Sequence, residues 1–203
     1  WGGGLYVGAY VDGGQPTAAK LAWNVYVGNK AGVSGGGFFC DDGAQCTSEN
    51  ELFVANCGGN VLLDGGTSTA PTVARFDHMT NVGAREVGCG AAGVGVQIDR
   101  ADSTAPDTYS FRNSLFWDNG EGLDFRLVCD TACDKLKVSA QHTMMQPRYF
   151  KQGASIALGK GILAPADPRF VDPARLDYRL APDSPARGKG DPAGADLGAF
   201  GGG

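Results

Sequence analysis

Asn60-Val61-Leu62-Leu63-Asp64, followed at once by Gly65-Gly66, is a short apolar run led by an amide and ended by an acid and a turn. The same phrase recurs as Gly37-Phe38-Phe39-Cys40-Asp41, as Gly95-Val96-Gln97-Ile98-Asp99, and in longer form from Gly4 to Asp12 and from Gly122 to Asp130. The starts lie about 23 to 35 residues apart, within the range of repeat architectures. A second phrase runs out of phase with the first: Val25-Tyr26-Val27-Gly28-Asn29, Leu52-Phe53-Val54-Ala55-Asn56, His78-Met79-Thr80-Asn81 and Leu115-Phe116-Trp117-Asp118-Asn119. Two interleaved strand families with one period, and no sustained three- and four-residue apolar spacing, predict a β-solenoid whose rungs bury their apolar faces only by stacking. A sandwich of hairpins also uses short strands. It offers no reason for equivalent strands to end in the same residue, whereas stacked identical turns can form side-chain ladders.

Glycine supplies 33 of the 203 residues, and only 19% are charged, which suits a folded chain with many tight turns and few surface ion pairs. Asp12-Gly13-Gly14, Asp42-Gly43 and Asp64-Gly65-Gly66 read as turns in which Gly accepts positive φ and Asp bonds its own backbone. The polar stretches 15–22, 67–73 and 100–109 are expected to be loops leaving one side of the coil. Rungs are expected over 1–160. From 161 to 203 four X-Pro steps argue against interior strands and predict a capping segment of the same domain, covering the last rung. The opening Trp1-Gly2-Gly3-Gly4 inside a rung-like run suggests a truncated piece with an uncapped first rung, able to associate end to end.

The net charge of −5 provides no cationic field for a phosphate backbone, so nucleic acid is not expected as a partner. No apolar run reaches the roughly 20 residues of a membrane-spanning helix. Cys40, Cys46, Cys57, Cys89, Cys129 and Cys133 contain no CxxC pair, which favours disulfides and an exported protein, at the cell surface or secreted. Cys40 with Cys46 and Cys129 with Cys133 would close short loops and leave Cys57 and Cys89, although six cysteines admit other pairings.

The C-terminal tract Asp167-Pro168-Arg169-Phe170, Asp177-Tyr178-Arg179-Leu180, Ser184-Pro185-Ala186 and Asp196-Leu197-Gly198-Ala199-Phe200 resembles the closing segment of bacterial right-handed parallel β-helix repeat proteins of the pectate-lyase-like superfamily. The resemblance implies a single-stranded right-handed parallel β-helix. It leaves function open, because that superfamily includes polysaccharide lyases, glycoside hydrolases, adhesins and passenger domains that catalyse nothing. The Asn-Thr-Asp, His-Gly and Arg-Ile-Lys steps of its galacturonan hydrolases are missing here. Asp77-His78 is similar to a step in some of its pectate lyases.

Stacked rungs would bring Asp12, Asp41, Asp42, Asp64, Asp99 and Asp130 into a column about 4.8 Å apart. Such carboxylates need protons or a hard cation, and Asp41, Asp42, Asp64 and Asp99 are the candidate calcium ligands; the plainer reading is that each Asp makes a turn. Arg112 and Arg126 lie inside expected strands and are the candidates for a lyase base or clamp, or else surface partners of the Asp column. Asn29, Asn56, Asn81 and Asn119 are expected to form a structural amide ladder. His78 and His142 are the only histidines and are read as packed, hydrogen-bonded side chains rather than metal ligands. Trp23, Trp117, Tyr6, Tyr10 and Tyr26 offer a sugar-stacking platform or simply core. The first expectation is therefore a non-catalytic module binding glycan or surface protein along its flank, and the second a calcium-assisted polysaccharide lyase.

Overall fold

The computed structural model describes residues 2–8, 16–66, 69–85, 93–100, 103–120, 123–146 and 150–202. Asp12, Tyr10 and Cys89 lie outside them. The chain is all-β, and its strands coil through three parallel sheets. Sheet one stacks β1 (Leu5–Gly8), β4 (Phe38–Asp41), β7 (Val61–Asp64), β10 (Val96–Arg100), β13 (Phe125–Cys129) and β15 (Phe150–Gln152). Sheet two stacks β2 (Ala18–Ala22), β5 (Gln45–Glu49), β8 (Val73–Asp77), β11 (Thr108–Arg112), β14 (Lys137–Gln141) and β16 (Ile156–Leu158). Sheet three contains β3 (Val25–Val27), β6 (Leu52–Val54), β9 (Thr80–Val82) and β12 (Leu115–Trp117), continued by single bridges through Met144 and Leu163. Among the described residues no helix is long and apolar enough to cross a membrane.

Both phrases of the sequence map onto strands, but onto sheets one and three only. Three of the six strands of sheet two fall in or beside the stretches read as loops: β2 occupies 18–22, β8 starts at Val73 and β11 at Thr108. Their sequences, such as QCTSE and VARFD, alternate buried and solvent-facing residues, so each carries only two or three inward side chains. A half-polar strand of five residues is easily taken for a loop.

Inward side chains from the three sheets fill the coil. Phe38, Phe76, Phe111, Phe116 and Phe125 are fully buried, and Phe76 stacks on Phe111 at 5.4 Å between ring centroids, with nearly parallel rings. At the corner between sheets one and two Asp42 and Gly43 both adopt positive φ, as the turn reading expects, and the Cys40–Cys46 disulfide spans that corner. Cys129–Cys133 closes the second expected loop. Cys57 is also disulfide-bonded.

The amide ladder is present and longer than expected. Asn29 Nδ2 donates to Asn56 Oδ1 at 3.0 Å, Asn56 Nδ2 to Asn60 Oδ1 at 2.8 Å, and Asn60 Nδ2 to Asn81 Oδ1 at 2.7 Å. Asn119 joins through the Asn81 carbonyl and through Asp124 Oδ1 at 2.9 Å. The extra members, Asn60 and Asp124, precede β7 and β13. The register-equivalent residue before β10 is Gly95, where a Cβ would lie only 2.9 Å from Asn119 Nδ2 and 3.0 Å from Asn81 Oδ1. The rungs of β1, β4, β7, β10 and β13 therefore have either a ladder side chain or a glycine at this place.

The C-terminal segment begins as the last rung, with Leu163 bridged to Met144. Its described contacts then run along the side of the coil instead of covering the end. A hairpin of β17 (Phe170–Asp172) and β18 (Asp177–Leu180), together with Ala186, Leu197 and Ala199, packs on the outer residues Leu52, Val54, Val82, Leu115 and Met144 of sheet three. The physical reason lies in those side chains: apart from Thr80 the outer face of sheet three is apolar, and the tail supplies the apolar partner that this face requires.

Candidate functional site

Three of the acidic residues form the expected column at the ends of sheet one. Asp64 pairs in register with Asp99, and Asp41 occupies the equivalent position one rung earlier, one residue past the Cys40–Leu63 pair. Asp42 lies one residue beyond the column. Asp130 is two positions out of line, because Asp99 is matched by Val128. The column is less solvated than the plainer reading describes, although Asp64 makes the turn that reading expects, its carboxylate accepting from the N–H two residues on. Asp41 is buried and accepts a hydrogen bond from the Tyr6 hydroxyl at 3.2 Å, while Asp64 accepts from the Gly66 N–H at 2.8 Å. Burial, reinforced by the charges of Asp42 and Asp64, pushes the Asp41 carboxyl up to about 7. Burial likewise raises Asp64 to about 6, against the Gly66 hydrogen bond and with the charges of Asp99 and Asp42 adding. Among the described residues no three His, Cys, Asp or Glu side chains are arranged to hold a metal ion. Strand stacking sets Asp41, Asp64 and Asp99 along a line, whereas a calcium ion needs oxygens around a point.

Arg112 and Arg126 do not converge. Arg126 is on sheet one, where burial raises the Asp99 carboxyl and the Gln97 hydrogen bond and the Arg126 charge only partly offset it. Arg112 is on sheet two and pairs away from the column, with Asp191 of the tail at 2.8 Å and with Asp77 at 3.7 Å. Next to it runs the corner between sheets two and three, where Trp23, Asn50, His78, Asn113 and His142 take equivalent positions, all at positive φ. His78 and His142 are thus separated by the rung of Asn113 and share no ligand. His78 Nε2 lies 3.1 Å from Asn113 Nδ2, and His142 Nδ1 lies 3.3 Å from the Lys189 carbonyl. The tail closes this corner through Asp191 N, which donates to Asn113 Oδ1, and Gly198 N, which donates to the Asn113 carbonyl.

A cleft lies between sheet three and the tail. Val27, Val54, Val82 and Trp117 follow one another in register along the outer face of that sheet. Beside Val54, Val82 and Trp117, the hairpin raises a wall of Phe170 and Tyr178, whose rings meet edge to face at 4.9 Å. Together with Arg85, Asp118, Asp167 and Arg169 these side chains enclose about 370 Å³. The Arg85 guanidinium donates to Asp118 at 3.2 Å, and Arg169 is held by Asp183. A floor of apolar and aromatic faces with a few polar groups at the rim is the composition of a small-ligand site.

Of the aromatic platform expected from sequence, Trp117 alone among the described residues reaches this cleft, and Tyr10 lies outside them. Tyr26 stacks on Phe53 inside the coil, and Tyr6 and Trp23 are exposed on the first rung. Arg85, Asp118, Asp167, Arg169, Phe170 and Tyr178 carried no sequence signal as site residues, since their meeting depends on where the tail docks. No protein-family model, no curated protein and no solved structure matches this chain.

Proposed function

We propose that this chain is a non-catalytic β-helical module of an exported protein, secreted or held at the cell surface, which binds glycan along its flank. The observation that carries the reading is the 370 Å³ cleft in which Trp117, Phe170 and Tyr178 stand beside the Arg85–Asp118 pair. Aromatic faces pack against the apolar faces of sugar rings, and a fixed carboxylate and guanidinium match ring hydroxyls. The ion pairs of Arg112 also favour a binding role, because a base or clamp for catalysis would have to be free to meet substrate. Disulfides fit an oxidising compartment. Three parallel sheets fit the right-handed parallel β-helix that the C-terminal tract resembles, and the right hand is what crossover connections between parallel strands adopt.

The test is calorimetric titration of the purified chain with neutral and acidic oligosaccharides, repeated on Trp117→Ala. Heat of binding that Trp117→Ala removes, with its melting temperature kept, supports the reading; no heat with any member of the panel sinks it. The calcium-assisted lyase is the second reading, and the raised carboxyls of Asp41 and Asp64 are what favour it. Calcium binding lost in Asp64→Asn, together with ultraviolet absorbance of unsaturated products from acidic polysaccharides, would establish it in place of the first.

A further inference from the structure

Trp117 and Asp118 line a second cleft as well as the first. It encloses about 280 Å³ on the side toward the fifth rung, against Asn119, Asp124 and Gln146. Gln146 follows Met144, which bridges Leu115, so it stands one rung below Trp117 in the column of Val54 and Val82. We infer that the two clefts are halves of one groove parallel to the coil axis, with Trp117 as its central platform, and that its ligand is a linear neutral oligosaccharide. This rests on the glycan-binding reading and adds length, direction and charge to it.

Length follows from the rungs. Val54 to Gln146 covers three rung intervals, about 14 Å at a rung spacing of about 4.8 Å, which is more than one sugar ring. The charge class follows from pairing. Among the described lining residues the cations are Arg85 and Arg169, and each already faces a carboxylate, Asp118 and Asp183. The further carboxylate Asp167 is occupied in part by the Arg169 N–H at 2.9 Å. A uronate would have to displace one of these partners and approach the others' negative charge, whereas hydroxyls can bond to the pairs as they stand. Beyond Trp117 the polar groups are amide and carboxylate: the Asn119 side chain is engaged in the ladder, which leaves the half-buried Gln146 side chain to meet ligand.

The experiment is calorimetry on the intact chain with dimers and hexamers of β-1,4-linked glucose, xylose and mannose, and with a hexamer of galacturonic acid. At least one neutral hexamer is expected to bind about tenfold or more tighter than its dimer. Trp117→Ala should weaken dimer and hexamer alike by about tenfold, Trp117→Phe should retain most of the affinity, and Gln146→Ala should weaken the hexamer only. Equal affinity for dimer and hexamer, or a harmless Gln146→Ala, would overturn the continuous groove while leaving glycan binding intact. Preference for the galacturonic acid hexamer would overturn the neutral class. Silence with every sugar would overturn the glycan reading and this inference together. Melting temperatures within a few degrees of the parent keep each variant interpretable, because Trp117 and Gln146 are both partly exposed.

Discussion

The Arg112 guanidinium donates to the Asp191 carboxylate at 2.8 Å across 79 residues of sequence, joining a strand of sheet two to the C-terminal tail. Arg112 also donates to the Asp191 carbonyl at 3.0 Å, and Asn113 and Asp191 exchange two further hydrogen bonds. This is the polar clasp at one edge of the apolar contact between the tail and sheet three.

Loosening the clasp is expected to free the tail before the coil unfolds. Both partners are partly exposed, so the ion pair itself contributes about 1 kcal/mol or less. Arg112→Ala and Asp191→Ala should each lower the melting temperature by a few degrees and be less than additive together. Limited proteolysis should cut the variants within 164–202 several times faster than the parent. Equal cleavage rates would contradict this role.

Stability should fall as pH rises toward neutrality. Burial holds the Asp41 and Glu51 carboxyls at about 7 and Asp64 at about 6, all above their unfolded values. A raised folded value means that the fold prefers the protonated form. The contribution is therefore fully present below about pH 4 and is lost as pH rises through about 6 to 7. Urea midpoints at about pH 5 should exceed those at about pH 8 by an amount worth about 2–4 kcal/mol. Glu51→Gln should flatten part of that slope, since a neutral amide has no proton to lose. A midpoint that climbs between these pH values would refute the assignment.

Asn60 is the ladder member whose loss should cost most. Its Oδ1 accepts from Asn56 N and Nδ2, and its Nδ2 donates to Asn81 Oδ1 and the Val82 carbonyl, all without solvent. Asn60→Ala leaves a small cavity and several unpaired groups, so a loss of about 2–4 kcal/mol is expected from urea unfolding. Asn29→Ala, at the half-buried start of the ladder, should cost about 1 kcal/mol. Comparable losses for the two would show that burial is not what makes the ladder matter.

The two short disulfides should differ in their response to replacement by serine. Each closes a loop of a few residues, worth about 2 kcal/mol in the chain-entropy view. Cys40 and Cys46 are also fully buried, so hydroxyls there would lack partners, whereas Cys133 is only partly buried. The Cys40→Ser, Cys46→Ser double variant should therefore lose about 2 kcal/mol more than Cys129→Ser, Cys133→Ser in urea. Equal losses would count against burial as the cause.

Sheets one and three were legible because their strands are nearly continuous apolar runs punctuated by Asp-Gly or Asn. Sheet two was not, since Thr47, Arg75 and Ser110 follow one another in register facing outward and break each run. The Asp column was legible to within its members, because equivalent strand ends must stack. Its chemistry was not: depth of burial depends on Tyr6 and on the turns that cover Asp41, which no local pattern reports.

What the sequence determined by itself is the coil: a period, two of its three strand families, an amide ladder and two short disulfide loops, all consequences of local pattern repeated along one chain. What only the tertiary structure decided is the flank. Trp117 meets Phe170 and Tyr178, and Arg112 meets Asp191, because the tail returns across four rungs to cover an apolar outer face, and contacts of such long range leave no periodic trace in the residues that make them.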